Sequence, residues 1–284
     1  MTQFLAEPQA AIPLAVTPQA RPKAKSQAAS PKLHILLISA VTLLAVLAVW
    51  WLVTALGLIK PLFLPAPTTV LSRFVSLAHD GYLGTSLWQH TGASLRRISL
   101  ALLAAIVIAV PLGVAVGQSR VIRGIIDPLV EFYRPIPPLA YLPLIVIWFG
   151  IGEFSKMLLI YLAIFAPIFI ATSNGVLSVD PKKLLAAQSL GATHTQLIRY
   201  VVLPGALPQI LTGIRIGLGV GWSTLVAAEL IAATQGLGFM VQSAAQLLQT
   251  DVVIVGILII ACIAVLLELG LRTLQKRLVP WDRN

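Results

Sequence analysis

Long apolar runs without Asp, Glu, Lys or Arg alternate with short polar segments along the chain: Leu33–Ile59, Ile98–Gln118, Pro135–Gly152, Met157–Val179, Ile216–Ala228 and Val252–Leu267. A helix rises about 1.5 Å per residue and needs about 20 apolar residues to cross a hydrocarbon core. The longer runs reach that length alone and the shorter ones with their flanks, so the pattern predicts six membrane-crossing helices. Between the first two runs, Pro61, Pro65 and Pro67 interrupt any helix. After them Val70, Leu71, Phe74, Val75 and Leu77 recur at helical spacing, which predicts a short amphipathic helix at the outer interface. Between the last two runs, Gly236 to Leu248 is amphipathic and free of charge, a second short helix.

The expected architecture is therefore all-α and polytopic. Residues 1–32 form a tail, 33–59 the first transmembrane helix, 60–89 an outer linker with its interfacial helix, and 90–278 the main transmembrane domain. Composition agrees. Of 284 residues, 58% are hydrophobic and 11% charged, with a mean hydropathy of +0.92. A water-soluble domain cannot cover that much apolar surface with so few charges.

The net charge of +10 raises nucleic-acid binding, and the placement of the basic residues argues against it. Arg21, Lys23, Lys25 and Lys32 precede the first run, Arg120 and Arg123 follow the second, Lys182, Lys183 and Arg199 follow the fourth, and Arg272, Lys276, Arg277 and Arg283 close the chain. The alternate loops are poorer. That asymmetry is the positive-inside pattern and predicts both termini cytoplasmic. Arg96 and Arg97 open the second span on the outer side, where snorkelling to the interface would accommodate them.

The tail, rich in Ala, Pro, Gln and Lys, reads as disordered. Leu33–Ile59 is too long for the apolar core of a signal peptide. Cys262 is the sole cysteine, so neither a disulfide framework nor a thiol metal site is expected. His79, His90 and His194 lack a metal-ligand rhythm and read as surface or interfacial residues.

The loop after the fourth run carries helix-boundary signals in quick succession. Asp180 before Pro181 is an N-cap with proline at the first helical position. Gly191 is placed to end that helix in the left-handed conformation. Thr193-His-Thr-Gln196 has the form of a capping box opening a second helix, which Pro204 is expected to close. Two short helices meeting at a glycine corner, the first presenting Ala186 and Ala187, suit a docking element.

These residues resemble a family. Transmembrane subunits of binding-protein-dependent ABC importers carry a cytoplasmic motif written EAA-x3-G-x9-I-x-L-P. Leu185-Ala186-Ala187, Gly191 and Val201-x-Leu203-Pro204 fit its spacing, with Leu185 replacing the glutamate and Val201 the isoleucine. Tyr133–Lys156 and Gly205–Ala244 are similar to the permease subunits of bacterial taurine and sulfonate importers, and the likeness runs from about residue 40 to 282. Related permeases take alkanesulfonates, nitrate or bicarbonate, or pyrimidine precursors.

The resemblance implies the type I importer permease fold and a homodimer. It implies two ABC ATPase subunits gripping loop 180–204, and a periplasmic sulfonate-binding protein above. It also implies that segment 236–250 is an outer re-entrant element, with Gly236, Gly238 and Phe239 docking that protein and helping to gate. ATP and Mg would be bound by the partner ATPase, with no cofactor on this chain.

Other features fit such a role. Gly213, Gly217 and Gly221 make a small-residue stripe, repeated by Gly113 and Gly117, which allows close helix packing or a sliding interface between protomers. Pro135, Pro137, Pro138 and Pro143 are expected to break or kink the third span. In a membrane that is tolerated only against protein or a wet cavity, which favours a place beside the translocation path. Arg215 falls near mid-bilayer and should face protein or water, either paired with a carboxylate or freed carbonyls, or attracting the solute. Arg134 is a second pathway candidate, although Glu131 three residues earlier could neutralise it.

A secondary transporter would need coupling carboxylates within its spans and usually inverted repeats. No such repeat occurs, and Asp127, Glu131 and Glu229 lie near span ends. No HExxH, GxSxG or phosphate-loop motif is present, so the chain itself is not expected to be an enzyme or to hold a metal.

Overall fold

The computed structural model describes residues 31–281. The tail lies outside these up to residue 30, as does Arg283. The helices in chain order are α1 (Pro31–Ala55), α2 (Pro67–Asp80), α3 (Leu87–Gln118) and α4 (Arg120–Tyr133). A 3-10 turn (Pro138–Tyr141) leads into α5 (Leu142–Phe149), followed by α6 (Glu153–Leu177), α7 (Pro181–Ser189) and α8 (His194–Leu197). A π turn (Ile198–Val202) joins α8 to α9 (Leu203–Ala232), and α10 (Leu237–Gln246) and α11 (Thr250–Leu278) complete the chain. Among the described residues there is no strand, only an isolated bridge between Tyr82 and Thr85.

The chain divides into two compact units after Leu47. The first contributes the start of α1, with Leu37, Val41 and Leu44 exposed. The second holds the rest.

Among the described residues, five helices are long and apolar enough to cross a membrane: α1, α3, α6, the continuous α8–α9 run and α11. The sixth crossing, expected over Pro135–Gly152, is not a straight helix. Its α-helical part is the eight residues of α5, about 12 Å of rise. It counts as a span only together with α4, from which residues 138–149 turn by 89°. The prolines explain the break: Pro135, Pro137 and Pro138 remove three amide donors, and each disfavours helical backbone in the residue before it.

α6 is the centre of the second unit, with α3 and α9 packed on neighbouring faces of it and touching each other. Small residues make this possible. Ala101, Ala105, Ala109, Gly113 and Gly117 recur every fourth residue on α3 and are buried or nearly so. A Cβ at Gly113 would lie 2.7 Å from the Thr172 Cβ. On α9 the stripe behaves alike: Gly213 faces Ala171 and the Pro167 carbonyl, while Gly217 and Gly221 face Ile164. The glycines therefore pack within one chain, against α6. Ile160, Ile164, Ile168 and Phe169 of α6 fill the space between. With little hydrophobic drive between helices in lipid, such backbone approach supplies dispersion contacts.

A smaller apolar cluster joins α2, α10 and α11 through Val70, Leu77, Leu237, Met240, Val252 and Val255. It lies at the end of the bundle opposite α7.

Pro204 does not close a helix. Leu203 and Pro204 open α9, and the π turn carries the chain into it without a stop. Proline lacks the amide that would bond back into the preceding turn, and the π turn directly before it accommodates that loss, so the signal read as a stop lies inside a continuous run.

Candidate functional site

Three places on the second unit bear on function, and the first is the α7–α8 corner. The Asp180 carboxylate accepts from the Lys182 amide at 2.9 Å, capping α7. Gly191 has φ +82°, the left-handed region that glycine enters at least cost. At Thr193 both halves of the capping box are made: the Gln196 amide donates to the Thr193 hydroxyl, and the Thr193 amide donates to Gln196 Oε1. The corner stands clear of the bundle. Leu185 and Ala186 are exposed, Ala187 is half-buried, and Leu190 is 89% exposed. Bare leucines on a capped turn among Lys182, Lys183 and Arg199 give the corner an apolar centre and a basic rim.

The second place is a cavity of about 470 Å³ between α6, α9 and the broken span. Arg134 and Pro138, named from sequence as pathway residues, both line it, together with Asn174, Gln209 and Thr212. Arg134 is its cation, and no Asp or Glu lines it. The expected neutralisation by Glu131 does not occur: no ion pair joins the two among the described residues. The backbone freed by the prolines borders this cavity, where polar groups can be met by water.

Arg215 does not line that cavity, although its neighbour Ile216 does. Its Nε lies 3.5 Å from Glu268 Oε1 on α11. Of the two roles left open by its mid-span position, the structure places it in pairing with a carboxylate.

The third place is at the α10 end and was not foreseen. Arg97, expected to snorkel outward, is 2% exposed. Its Nη1 donates to Glu229 Oε1 at 2.6 Å and to the Gln235 carbonyl at 2.7 Å. Its Nε and Nη2 grip both oxygens of Glu153, at 2.7 and 2.8 Å. Glu229, read from sequence as a span-end residue, is 1% exposed. It also accepts from the Ser94 hydroxyl and from the Gly238 amide. Lys156 binds Glu153 at 2.7 Å, while Arg96 stays exposed with a loose 3.9 Å approach to it.

His90 is likewise fully buried rather than at the surface. The Gly236 amide donates to its Nδ1 at 3.2 Å, which puts the ring proton on Nε2, facing the Tyr82 carbonyl.

This constellation also relocates Gly236 and Gly238. Neither presents a docking face. Both are buried, and a side chain at either would run into Glu229. They are glycines because the carboxylate comes so close. Phe239 is half-buried and stacks on His90 at 6.2 Å. The spacing Ser94, Arg97 on α3, with His90 one turn earlier, is the local signal that one polar helix face turns inward. Nothing local says which carboxylate it meets.

The family model for the binding-protein-dependent transport system inner membrane component matches residues 101–281. The chain is 63% identical over 241 residues to the taurine transport system permease protein TauC of Escherichia coli, covering 84% of this chain and 88% of that one. It is 37% identical over 239 residues to the putative aliphatic sulfonates transport permease protein SsuC of Bacillus subtilis, covering 84% and 85%. Among solved structures, a chain of the inward-facing methionine ABC transporter MetNI superposes with a TM-score of 0.61 at 19% identity, covering 68% of this chain and 95% of that one. That likeness concerns the fold.

Proposed function

Since the chain belongs to the family of binding-protein-dependent transport system inner membrane components, we propose that it is the permease through which an ATP-driven importer moves taurine or a related sulfonate across the inner membrane. The cavity carries this reading. It combines one guanidinium, hydrogen-bonding groups from Asn174, Gln209 and Thr212, and no carboxylate. Such a lining favours a small solute with an anionic head, and a sulfonate presents three acceptor oxygens to it. The 63% identity to a taurine permease favours taurine within that class.

Two copies of the chain pair around the path. A separate ATPase subunit docks on each α7–α8 corner from the cytoplasm and supplies the ATP and Mg chemistry. A periplasmic binding protein delivers the solute at the α10 end, and both termini are cytoplasmic. The loss of the family glutamate at Leu185 leaves that contact apolar, with Leu185 and Leu190 seating in the ATPase groove. The chain hydrolyses nothing itself.

The test is uptake into proteoliposomes containing the chain, its ATPase and its binding protein. ATP-dependent accumulation of labelled taurine is expected, with Arg134→Gln reducing the rate at least tenfold. Uptake independent of ATP overturns the importer reading. Preference for a longer alkanesulfonate moves the substrate within the class, towards that of the Bacillus subtilis relative.

A further inference from the structure

The N-terminus of α10 is held by side chains from two other helices. Its three leading amides, from Gly236, Leu237 and Gly238, are those that no turn of its own can satisfy. Each has a separate acceptor: His90 Nδ1 at 3.2 Å, Ser94 Oγ at 3.0 Å and Glu229 Oε2 at 2.9 Å. His90 and Ser94 are one turn apart on α3, and Arg97 follows on the same face. The Glu229 carboxylate also lies at the positive end of the α10 dipole. Arg97 completes the arrangement by binding Glu229, Glu153 and the Gln235 carbonyl together. One guanidinium thus ties α3 to α9, to α6 and to the strand of chain that leads into α10.

We propose that Arg97 is a positioning residue for transport, which fixes α10 in register with α3 and α9 so that displacement of α10 is passed to α9 and its cavity-lining face. This rests on the importer reading above, in which the solute arrives at the α10 end.

The two carboxylates are not equivalent. Glu229 is wholly enclosed and has two further donors, so separating it from Arg97 leaves a buried unpaired charge, a costly step. The Glu153 side chain is 41% exposed and already holds Lys156, so water and Lys156 can replace Arg97 there. The Arg97–Glu229 link is therefore the lasting one and Arg97–Glu153 the yielding one. α10, α3 and the end of α9 move as one body, and the partly exposed Glu153 carboxylate at the start of α6 is the point where contact with them yields. α9 carries Thr212, Ile216 and Val220 into the cavity lining, so motion of its end reaches the path along a continuous helix.

The experiment uses the full complex in nanodiscs, with Ser223→Cys in a Cys262→Ala background as the reporter on the exposed face of α9. In this parent, binding of the loaded binding protein is expected to change the thiol-labelling rate at residue 223 at least threefold and to stimulate ATP hydrolysis. With Arg97→Gln added, binding-protein affinity should stay within threefold of the parent, while the labelling change disappears and stimulation falls at least fivefold. Glu229→Gln keeps the shape and, with its oxygen towards the Gly238 amide, that bond, but turns its NH2 against the Arg97 guanidinium. It should give the same uncoupling, and Glu153→Gln should lose less than twofold.

Unaltered coupling in Arg97→Gln or Glu229→Gln overturns the proposal, as does a Glu153→Gln defect equal to theirs. If Arg97→Gln fails to assemble, Glu229→Gln alone decides between these outcomes. A parent complex that responds to no binding protein sinks the importer reading instead, which keeps the two failures apart.

Discussion

Arg215 on α9 and Glu268 on α11 meet at 3.5 Å, and Arg272 holds the same carboxylate oxygen at 2.8 Å. The Arg215 and Glu268 side chains are each about one third exposed, at 34%. Two cations sharing one carboxylate in the span make the pairing redundant. Arg215→Met should therefore leave Glu268 bound to Arg272 and cost about 1 kcal/mol or less, the range of partly exposed pairs. Replacing both arginines should cost several times more, because an unpaired carboxylate is then left among apolar helices. Thermal unfolding of the detergent-solubilised chain measures both. A single variant as damaged as the double would show that Arg272 gives no support.

The α7–α8 corner allows its shape to be separated from its surface. No atom lies within 4 Å of a Cβ built at Gly191, so a side chain there meets strain but no clash. Gly191→Leu should cost about 1–2 kcal/mol locally, from the left-handed backbone, and loosen the corner. Leu190→Asp should leave the corner folded and remove its apolar centre. Both variants are expected to insert normally and to recover at least fivefold less ATPase on co-purification. Full recovery with Leu190→Asp would place the contact elsewhere.

That corner was legible because its signals are local. Asp180 caps Lys182 two residues on, and Thr193 exchanges bonds with Gln196 three residues on. Each is set by residue type at fixed spacing. Arg97 and Glu229 are 132 positions apart, and no local pattern distinguishes a buried arginine with two carboxylates from one that snorkels. The same limit applies to His90, whose partners lie in the Tyr82 turn and at the entry to α10. Pro204 shows another limit: a proline that reads as a stop is carried through where a π turn precedes it, and residue type alone does not report that turn. The six runs were right in number only if the proline-broken pair counts as one span, because apolar length does not report an 89° turn.

The glycines of α9 supply an internal control. A Cβ at Gly217 would approach the Ile164 carbonyl and two isoleucine side chains at 3.2 Å, whereas one at Gly219 meets nothing within 4 Å. Both lie in the same helix, so alanine brings the same gain in helix propensity, roughly 1 kcal/mol. Gly219→Ala should be neutral or stabilising. Gly217→Ala should be worse by about 1–3 kcal/mol, because α6 must shift. The difference between their unfolding midpoints is the measurement, and equal midpoints would mean that α6 and α9 are less closely packed than described.

Orientation can be read by labelling, provided the reporters are chosen from the structure. Gly238 is buried beneath Glu229 and is a poor thiol position. Ala245, at the far end of α10, is exposed, as is Leu190 on the α7–α8 corner. Both are examined in a Cys262→Ala background, since Cys262 is itself exposed. The basic residues gather at the α7 end, with Lys182, Lys183, Arg199, Lys276 and Arg277, and positive charge is retained on the cytoplasmic side. Ala245→Cys should react with a membrane-impermeant maleimide in cells whose outer membrane alone has been permeabilised. Leu190→Cys should react only after the inner membrane is opened. The reverse pattern would invert the chain, place the α7–α8 corner out of reach of any ATP-hydrolysing partner, and remove the physical basis for coupling through it.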